Sequence, residues 1–152
     1  MIKNLVIRFA QKADVKRLIE LCKLHAAFEE SPYDLKGKEQ LLSVSLFQAS
    51  PPLHCLVAVV NEKTVGYATY MKQYATWDAG FYVYMDCIFL TNESRGLGIG
   101  QMLTERIKKE GRKLGCDIVQ WQTPDFNKRA IKFYYRIGAT SKSKERFFLA
   151  ID

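Results

Sequence analysis

The segment of this sequence with the plainest chemical potential is Arg95-Gly96-Leu97-Gly98-Ile99-Gly100. Three glycines in five residues let the backbone take positive φ angles and come close to a ligand. Where a helix opens behind such a loop, its unpaired N–H groups and its dipole favour an anion such as a pyrophosphate. Plain strand-to-helix turns use glycine as well, so the loop alone leaves both readings open. It lacks the lysine of a GxxxxGK[ST] phosphate loop. Its place at mid-chain does not suit a dinucleotide fingerprint, which opens a first βαβ unit.

Asp86 stands in the apolar run Met85-Asp86-Cys87-Ile88, where a carboxylate demands an explanation, because buried acids are rare unless paired. Phe28-Glu29-Glu30 places two adjacent carboxylates where a helix should end. They suit a cationic ligand, and an exposed acidic helix end is an equal reading. Phe133, Tyr134 and Tyr135 form an aromatic cluster that, by itself, reads as core. The cysteines Cys22, Cys55, Cys87 and Cys116 are scattered without a CxxC pair, and His25 and His54 lie far apart. Neither a disulfide framework nor a metal site is expected.

These residues need elements to position them. Leu5–Phe9 reads as a first strand. A helix follows from about Lys12 to Phe28, with Val15, Leu18, Ile19 and Cys22 at helical spacing and Asp14 in its first turn. Ser31-Pro32 ends it, and a second helix covers Lys38 to Phe47 before Pro51-Pro52. Cys55–Val60, the turn Asn61-Glu62-Lys63 and Thr64–Lys72 form a hairpin, and a further strand runs from Phe81 to Leu90. After Gly100 a long helix reaches about Leu114, with Met102, Leu103 and Ile107 on one face and Gly115 as its C-cap glycine. Cys116–Gln122 reads as a strand, Asn127–Ile137 as a helix ending at Gly138, and Phe147–Ile151 as a last strand. The order β-α-α-β-β-β-α-β-α-β describes one mixed α/β domain over residues 1–152.

Bulk properties agree with a single globular domain: 152 residues, 48% hydrophobic and 26% charged. No stretch is long and apolar enough to span a bilayer, and Lys3 and Arg8 interrupt the start too early for a signal-peptide core. A cytoplasmic protein without membrane attachment is expected. The net charge of +7 is uneven, with +6 on residues 91–152 and +1 on residues 1–90. The excess points to an anionic partner such as a phosphorylated cofactor. Nucleic acid is not expected, since no RNA- or DNA-binding signature accompanies the charge.

Arg95-x-x-Gly98-x-Gly100 after a strand and opening a helix resembles the acetyl-CoA-binding motif of the GNAT superfamily of N-acetyltransferases. Asn127-Lys128-Arg129-Ala130-Ile131-Lys132-Phe133-Tyr134-Tyr135-Arg136-Ile137-Gly138-Ala139 is similar to that family's N-x-x-A-x-x-x-Y-x-x-x-G-[FA] helix. His54-Cys55-Leu56-Val57-Ala58, Trp77, Tyr84-Met85-Asp86 and Phe148-Leu149-x-Ile151-Asp152 narrow the resemblance to the spermidine/spermine (diamine) N-acetyltransferase branch, which includes thialysine acetyltransferases. The resemblance implies a mixed, mostly antiparallel sheet flanked by helices, acetyl-CoA as co-substrate, no metal, a small cationic amine as acceptor and a homodimer whose interface involves the C-terminal strand. Amino acids, aminoglycosides or protein N-termini are the rival acceptors, and a non-catalytic acyl-CoA-binding protein is the rival class.

The resemblance also implies roles. Tyr134 matches the general acid that protonates the departing CoA thiolate, and Asp86 an acid that contacts the acceptor amine and helps remove its proton. Such removal is needed because an ordinary primary amine, with a pKa of about 10.4, is protonated at neutral pH. Ile88, Phe89 and Leu90 match the strand edge that pairs with pantetheine, with an N–H at or near Ile88 polarising the thioester carbonyl. Gly96, Gly98, Ile99, Gly100 and Gln101 are expected around the pyrophosphate, with charge from Arg95, Lys128 and Arg129. Asn127, beside Ala130 in the helix motif, matches the side chain that bonds pantetheine. Phe28 and Glu29 match an aromatic–acid pair that binds polyamine. The residue after Asp86 is often a second acid in this branch and is Cys87 here.

Overall fold

The apolar runs of the sequence become a sheet because each has a neighbour to satisfy its backbone and a helix to cover its face. In the computed structural model, which describes residues 2–152, the elements are β1 (Leu5–Phe9), α1 (Val15–Phe28), α2 (Lys38–Phe47), β2 (His54–Val60), β3 (Lys63–Ala75), β4 (Gly80–Leu90), α3 (Ile99–Lys113), β5 (Val119–Gln120) and α4 (Lys128–Arg136). They fall into two compact units, one ending at Gln122 and one running from Thr123 to Asp152.

The first unit holds a five-stranded sheet in the order β1-β2-β3-β4-β5, antiparallel throughout except for the parallel pair β4/β5. Its two faces carry separate cores. Leu18 and Leu21 of α1 pack with Cys55, Val57, Tyr67 and Phe89. On the opposite face Ile99, Leu103 and Ile107 of α3 pack with Leu56, Ala58, Ala68, Tyr70, Val83 and Met85. The alternation of Cys55 and Val57 against Leu56 and Ala58 is the period of a strand covered on both sides, which is why the run has no polar member. Each fully buried Leu or Ile contributes about 1.5–3 kcal/mol relative to exposure.

The core stripe of α3 is Ile99, Leu103 and Ile107, spaced by four, and Met102 lies to its outer side at 47% exposure. The sequence places Met102 on the core face with Leu103 and Ile107; α3 begins at Ile99, two residues before the expected start, and Ile99, four residues before Leu103, takes the core position instead. Its C-terminus closes as expected: Gly115 takes φ +74°, the Gly115 N–H donates to the Arg112 carbonyl and the Cys116 N–H to the Gly111 carbonyl, both at 3.0 Å. These two bonds make a Schellman motif. Arg106 anchors the same helix across the sheet, donating to the Glu110 carboxylate at 2.9 Å and to the Ile7 carbonyl at 3.2 Å. Next to Ile7, Arg8 grips Asp14 through two hydrogen bonds, of 2.7 and 3.1 Å. The guanidinium holds that carboxyl below the usual carboxylate range.

The expected strand over Cys116–Gln122 shortens to Val119–Gln120, because only Val83 and Tyr84 of β4 pair with it. In the second unit Asn127 caps α4, and Gly138 at φ +95° closes it with the Gly138 N–H on the Tyr135 carbonyl and the Ala139 N–H on the Tyr134 carbonyl. The expected strand over Phe147–Ile151 is absent: those residues join no ladder, and Phe147, Phe148, Leu149 and Ile151 are more than four-fifths exposed. Side chains that favour strands do not make one without an adjacent edge to pair with.

Gly66 sits opposite Leu90 in the β3/β4 ladder, and a Cβ there would come within 2.3 Å of Leu90 Cδ2 and 2.7 Å of the Phe89 carbonyl oxygen. Gly66→Ala is therefore expected to destabilise the first unit by about 1–3 kcal/mol. A lowered melting temperature checks this, and an unchanged one would show that β3 and β4 separate easily at this point.

Candidate active site

β4 carries the geometry of the site. In the β3/β4 register Thr69 faces Cys87 and Tyr70 faces Met85, so Asp86 is the extra residue of a β-bulge. A bulge bends its strand and re-aims the side chain it leaves unpaired. Asp86 is accordingly exposed between the buried Met85 and the half-buried Cys87. Its apolar neighbours do not bury it, which answers the puzzle of an acid in that run.

The bulge also changes which backbone groups point outward. Thr91 N–H donates to the Val65 carbonyl at 2.8 Å, so Phe89 and Cys87, two and four residues back, also face β3. Ile88 and Leu90 must then direct their N–H and C=O groups away from β3. Before the bulge the parity is opposite: the Val83 N–H reaches the Ile118 carbonyl at 3.0 Å on the β5 side. Beyond Tyr84 no strand among the described residues pairs with that side of β4. An open edge results, with the Ile88 and Leu90 backbone groups aimed into it.

The chain leaves this edge through a 3₁₀ turn (Asn92–Ser94) and enters the glycine loop. Gly96 and Gly98 take φ +77° and +81°, angles that side chains with a Cβ rarely adopt. Gly98 is the N-cap of α3, and a Cβ built on it would meet nothing within 4 Å. Ile99 is buried and anchors the helix start, while Gly96, Gly98 and Gln101 are exposed and Gly100 is half-buried. The loop and the Gly100 and Gln101 backbone thus lie at the accessible, positive end of a helix of 15 residues.

Around the end of α1 a second cluster forms. The Arg95 guanidinium lies over the Phe28 ring at 4.2 Å and the Phe89 ring at 5.3 Å, and its Nε donates to the Leu90 carbonyl at 3.0 Å. Arg95 therefore reaches Phe28 at the end of α1 as well as leading into the loop. His25 stacks on Phe89 with centroids 5.1 Å apart, bonds Tyr67 Oη through Nδ1 at 2.8 Å and bonds Glu29 Oε2 through Nε2 at 2.5 Å. Burial holds His25 below its usual range, with Glu29 and Asp86 pulling the other way and Arg95 reinforcing the drop. The structure so brings Phe28, Glu29, Phe89 and Arg95 together.

His25 and Tyr67 were not singled out from sequence. The available signal was the i, i+4 spacing of His25 and Glu29 on one predicted helix. Cys87, which donates weakly to Asp86 Oδ2 at 3.7 Å, is pushed up to about 12 by burial, aided by the Asp86 charge.

In the second unit α4 presents Tyr134, half-buried, with its ring centroid 5.4 Å from that of Phe133. The Asn127 side chain accepts from the Ala130 N–H at 3.4 Å and donates to Thr123 Oγ1 at 3.3 Å. Lys128 and Arg129 are exposed on the first turn of α4.

The acetyltransferase (GNAT) family profile matches residues 6–139. Among curated proteins, the chain is 28% identical to the thialysine N-epsilon-acetyltransferase of Mus musculus, over 95% of this chain and 89% of that one. It is also 28% identical to the spermidine/spermine N(1)-acetyltransferase-like protein 1 of Homo sapiens, over 91% of this chain and 21% of that one. Among solved structures, an aminoglycoside N-acetyltransferase in complex with CoA superposes with a TM-score of 0.80 at 19% identity, over 97% of this chain and 95% of that one.

At pH 8 a thiol with a pKa of about 12 is thiolate to only about one part in 10⁴, roughly a thousandfold less than an ordinary cysteine. Cys87 is therefore expected to resist iodoacetamide in the folded protein at pH 8 and to react after denaturation. Peptide mass spectrometry reads the difference, and fast labelling of the native protein would contradict the buried-thiol assignment.

Proposed function

We propose, for a chain that belongs to the acetyltransferase (GNAT) family and is an acetyl-CoA-dependent N-acetyltransferase, that the acceptor is a primary amine of a small cationic molecule: a polyamine, a diamine or a thialysine-like amino acid. One observation carries this reading. Two carboxylates, Glu29 at the end of α1 and Asp86 on the β4 bulge, are both close enough to His25 to bias its charge, and carboxylates so placed attract a cationic acceptor. The named acceptors of the relatives, thialysine and spermidine or spermine, are of the same class.

On this reading acetyl-CoA lies along the open edge of β4. Ile88 and Leu90 offer backbone partners to the pantetheine arm, and the Ile88 N–H polarises the thioester carbonyl and stabilises the oxyanion. The N–H groups of Gly98, Ile99, Gly100 and Gln101 hold the pyrophosphate, where Gly96 and Gly98 let the backbone approach it. Lys128, Arg129 and Arg95 add positive charge, and Asn127 and Ala130 on α4 contribute to pantetheine binding. Asp86, exposed to water, takes the proton from the acceptor ammonium through a water molecule. The free amine attacks the carbonyl, the C–S bond breaks as Tyr134 protonates the departing thiolate, and the extra proton left on the new amide nitrogen passes back to the tyrosinate, restoring Tyr134. Both units then act as one acetyltransferase domain, a reading supported by a family match that runs through both. Four free cysteines suit the reducing cytoplasm as its compartment.

The chain is also read as a homodimer of two-fold symmetry. Support comes from the exposed apolar run Phe147 to Ile151, which joins no strand of its own chain and would gain by pairing with another. Light scattering at about 50 μM protein checks this; a monomer would count against it.

Thiol release from acetyl-CoA with polyamines, thialysine, lysine and aminoglycosides as acceptors tests the class directly. Gly98→Val, strained at φ +81°, is expected to melt somewhat lower than the parent and to lose the further rise given by acetyl-CoA, since its side chain would enter the phosphate cradle. Tyr134→Phe should keep acetyl-CoA affinity and lose on the order of 10²–10⁴ in rate. Asp86→Asn should raise the amine KM, slow turnover and recover partly at high pH, where free amine is plentiful. Cys87→Ala, which removes no assigned chemistry, should cost little. A crippled Cys87→Ala enzyme beside a near-normal Tyr134→Phe enzyme would overturn this mechanism.

A further inference from the structure

Tyr67, His25 and Glu29 form a hydrogen-bonded chain that none of the roles above uses. Its proton positions follow from its members. Tyr67 is 2% exposed, and burial keeps its phenol well above the usual range, so the hydroxyl holds its proton and donates to His25 Nδ1. Glu29 as a carboxylate can only accept, so His25 Nε2 carries the ring proton and donates to it. The Cys22 and Cys87 thiols lie near the same phenol. Stacking on Phe89 fixes the plane of the ring. The result resembles the logic by which one side chain orients the next, with the buried tyrosine as the fixed point and the carboxylate as the end held in place.

We propose that His25 is a positioning residue for the acceptor: held by Tyr67 and Phe89, it aims the Glu29 carboxylate at the distal ammonium of a dicationic amine and withdraws that charge when it is protonated. The inference rests on the cationic-acceptor reading above and adds to it the residue that holds Glu29 toward the second cationic centre, together with a pH dependence.

The charged and titratable groups around His25 are accounted for. Glu29 and Cys22 come from α1, Tyr67 from β3, Asp86 and Cys87 from β4, and Arg95 from the loop beyond. Burial is the largest influence and favours the neutral ring at pH 7. In that state Glu29 keeps its full charge, and its second oxygen can accept an ammonium. As pH falls the ring gains a proton and pairs with Glu29 as imidazolium, which cancels the charge that held the acceptor. Acceptor affinity is therefore present above the His25 pKa and lost below it.

The test compares 1,5-diaminopentane with 1-aminopentane at saturating acetyl-CoA. His25→Leu is expected to raise KM for the diamine about tenfold, with kcat and the monoamine's kcat/KM within about twofold of the parent. His25→Gln, which keeps an N–H for Glu29, should restore most of the diamine affinity. The diamine KM of the parent should rise between pH 7 and pH 5.5 more steeply than that of His25→Gln. In a Glu29→Gln background the leucine change should no longer discriminate between the amines. Should His25→Leu fail to fold, ¹⁵N NMR of the parent still decides, because a ring protonated on Nδ1, or charged at pH 7, overturns the proposal. Turnover of both amines with equal losses in every variant overturns the role of His25 alone. Turnover of neither amine by the parent overturns the cationic-acceptor reading, and this role with it.

Discussion

Between Met85 and Cys87 the fourth strand advances two residues while its neighbour advances from Tyr70 to Thr69, and much of the site follows from that single extra residue. In an unbroken antiparallel ladder the backbone groups that face outward repeat every second residue. With the bulge, the outward set changes from the parity of Val83, which bonds toward β5, to the parity of Ile88 and Leu90. The same offset lets Asp86 leave the apolar alternation and reach solvent while Met85 and Cys87 stay covered. Inserting a residue or removing one here would shift every side chain beyond it to the wrong face.

The sheet can sustain such a defect because it is held from both sides. Leu18 and Leu21 press on one face and Ile99, Leu103 and Ile107 on the other, so β3 and β4 cannot relax the bulge without opening two cores. Gly66, opposite Leu90, allows the strands to approach closely just where β4 ends and the glycine loop begins. The rigid part of the fold thus fixes the open edge. The loop after it needs only two residues at positive φ, Gly96 and Gly98, to turn the start of α3 toward that edge.

Most of this frame was legible in the residues. Cys55 to Val60 and Phe81 to Leu90 had the run lengths of strands, and Lys38–Phe47, read as a helix before Pro51-Pro52, has those bounds in the structure. What composition cannot show is pairing. Phe147–Ile151 has the side chains of a strand but no pairing strand among the described residues, and Cys116–Gln122 contributes only the two residues that meet Val83 and Tyr84. The glycine loop and the acid of β4 stood out by type, whereas the bulge that gives Asp86 its meaning is a register event with no residue signature. His25 escaped notice for a related reason: its partner Glu29 is local on α1, but the tyrosine that fixes its ring is 42 positions away on β3. Arg95 was legible as a charge near the loop, and its stacking on Phe28 was not.

An acceptor amine sets two electrostatic demands that oppose each other. A carboxylate that attracts an ammonium also favours its charged form: at 4 Å the attraction is about 4 kcal/mol in a partly buried setting and about 1 kcal/mol in water. Since one pKa unit is about 1.36 kcal/mol, a well-buried carboxylate beside the reacting nitrogen would hold its proton in place and block attack. On the proposed reading the two acids divide these demands. Glu29, half-buried and gripped by His25, gives a strong pair to an ammonium that need never lose its proton. Asp86, turned into solvent by the bulge, gives a weaker, screened attraction and a water path for the proton that must leave. A monoamine can use only one of these sites, whereas a molecule with two amines satisfies both at once. The second acid common after the bulge in the diamine branch would place another charge beside the reacting nitrogen. Here a thiol that burial keeps protonated, Cys87, takes that place, and on the proposed reading the holding charge resides on α1 instead.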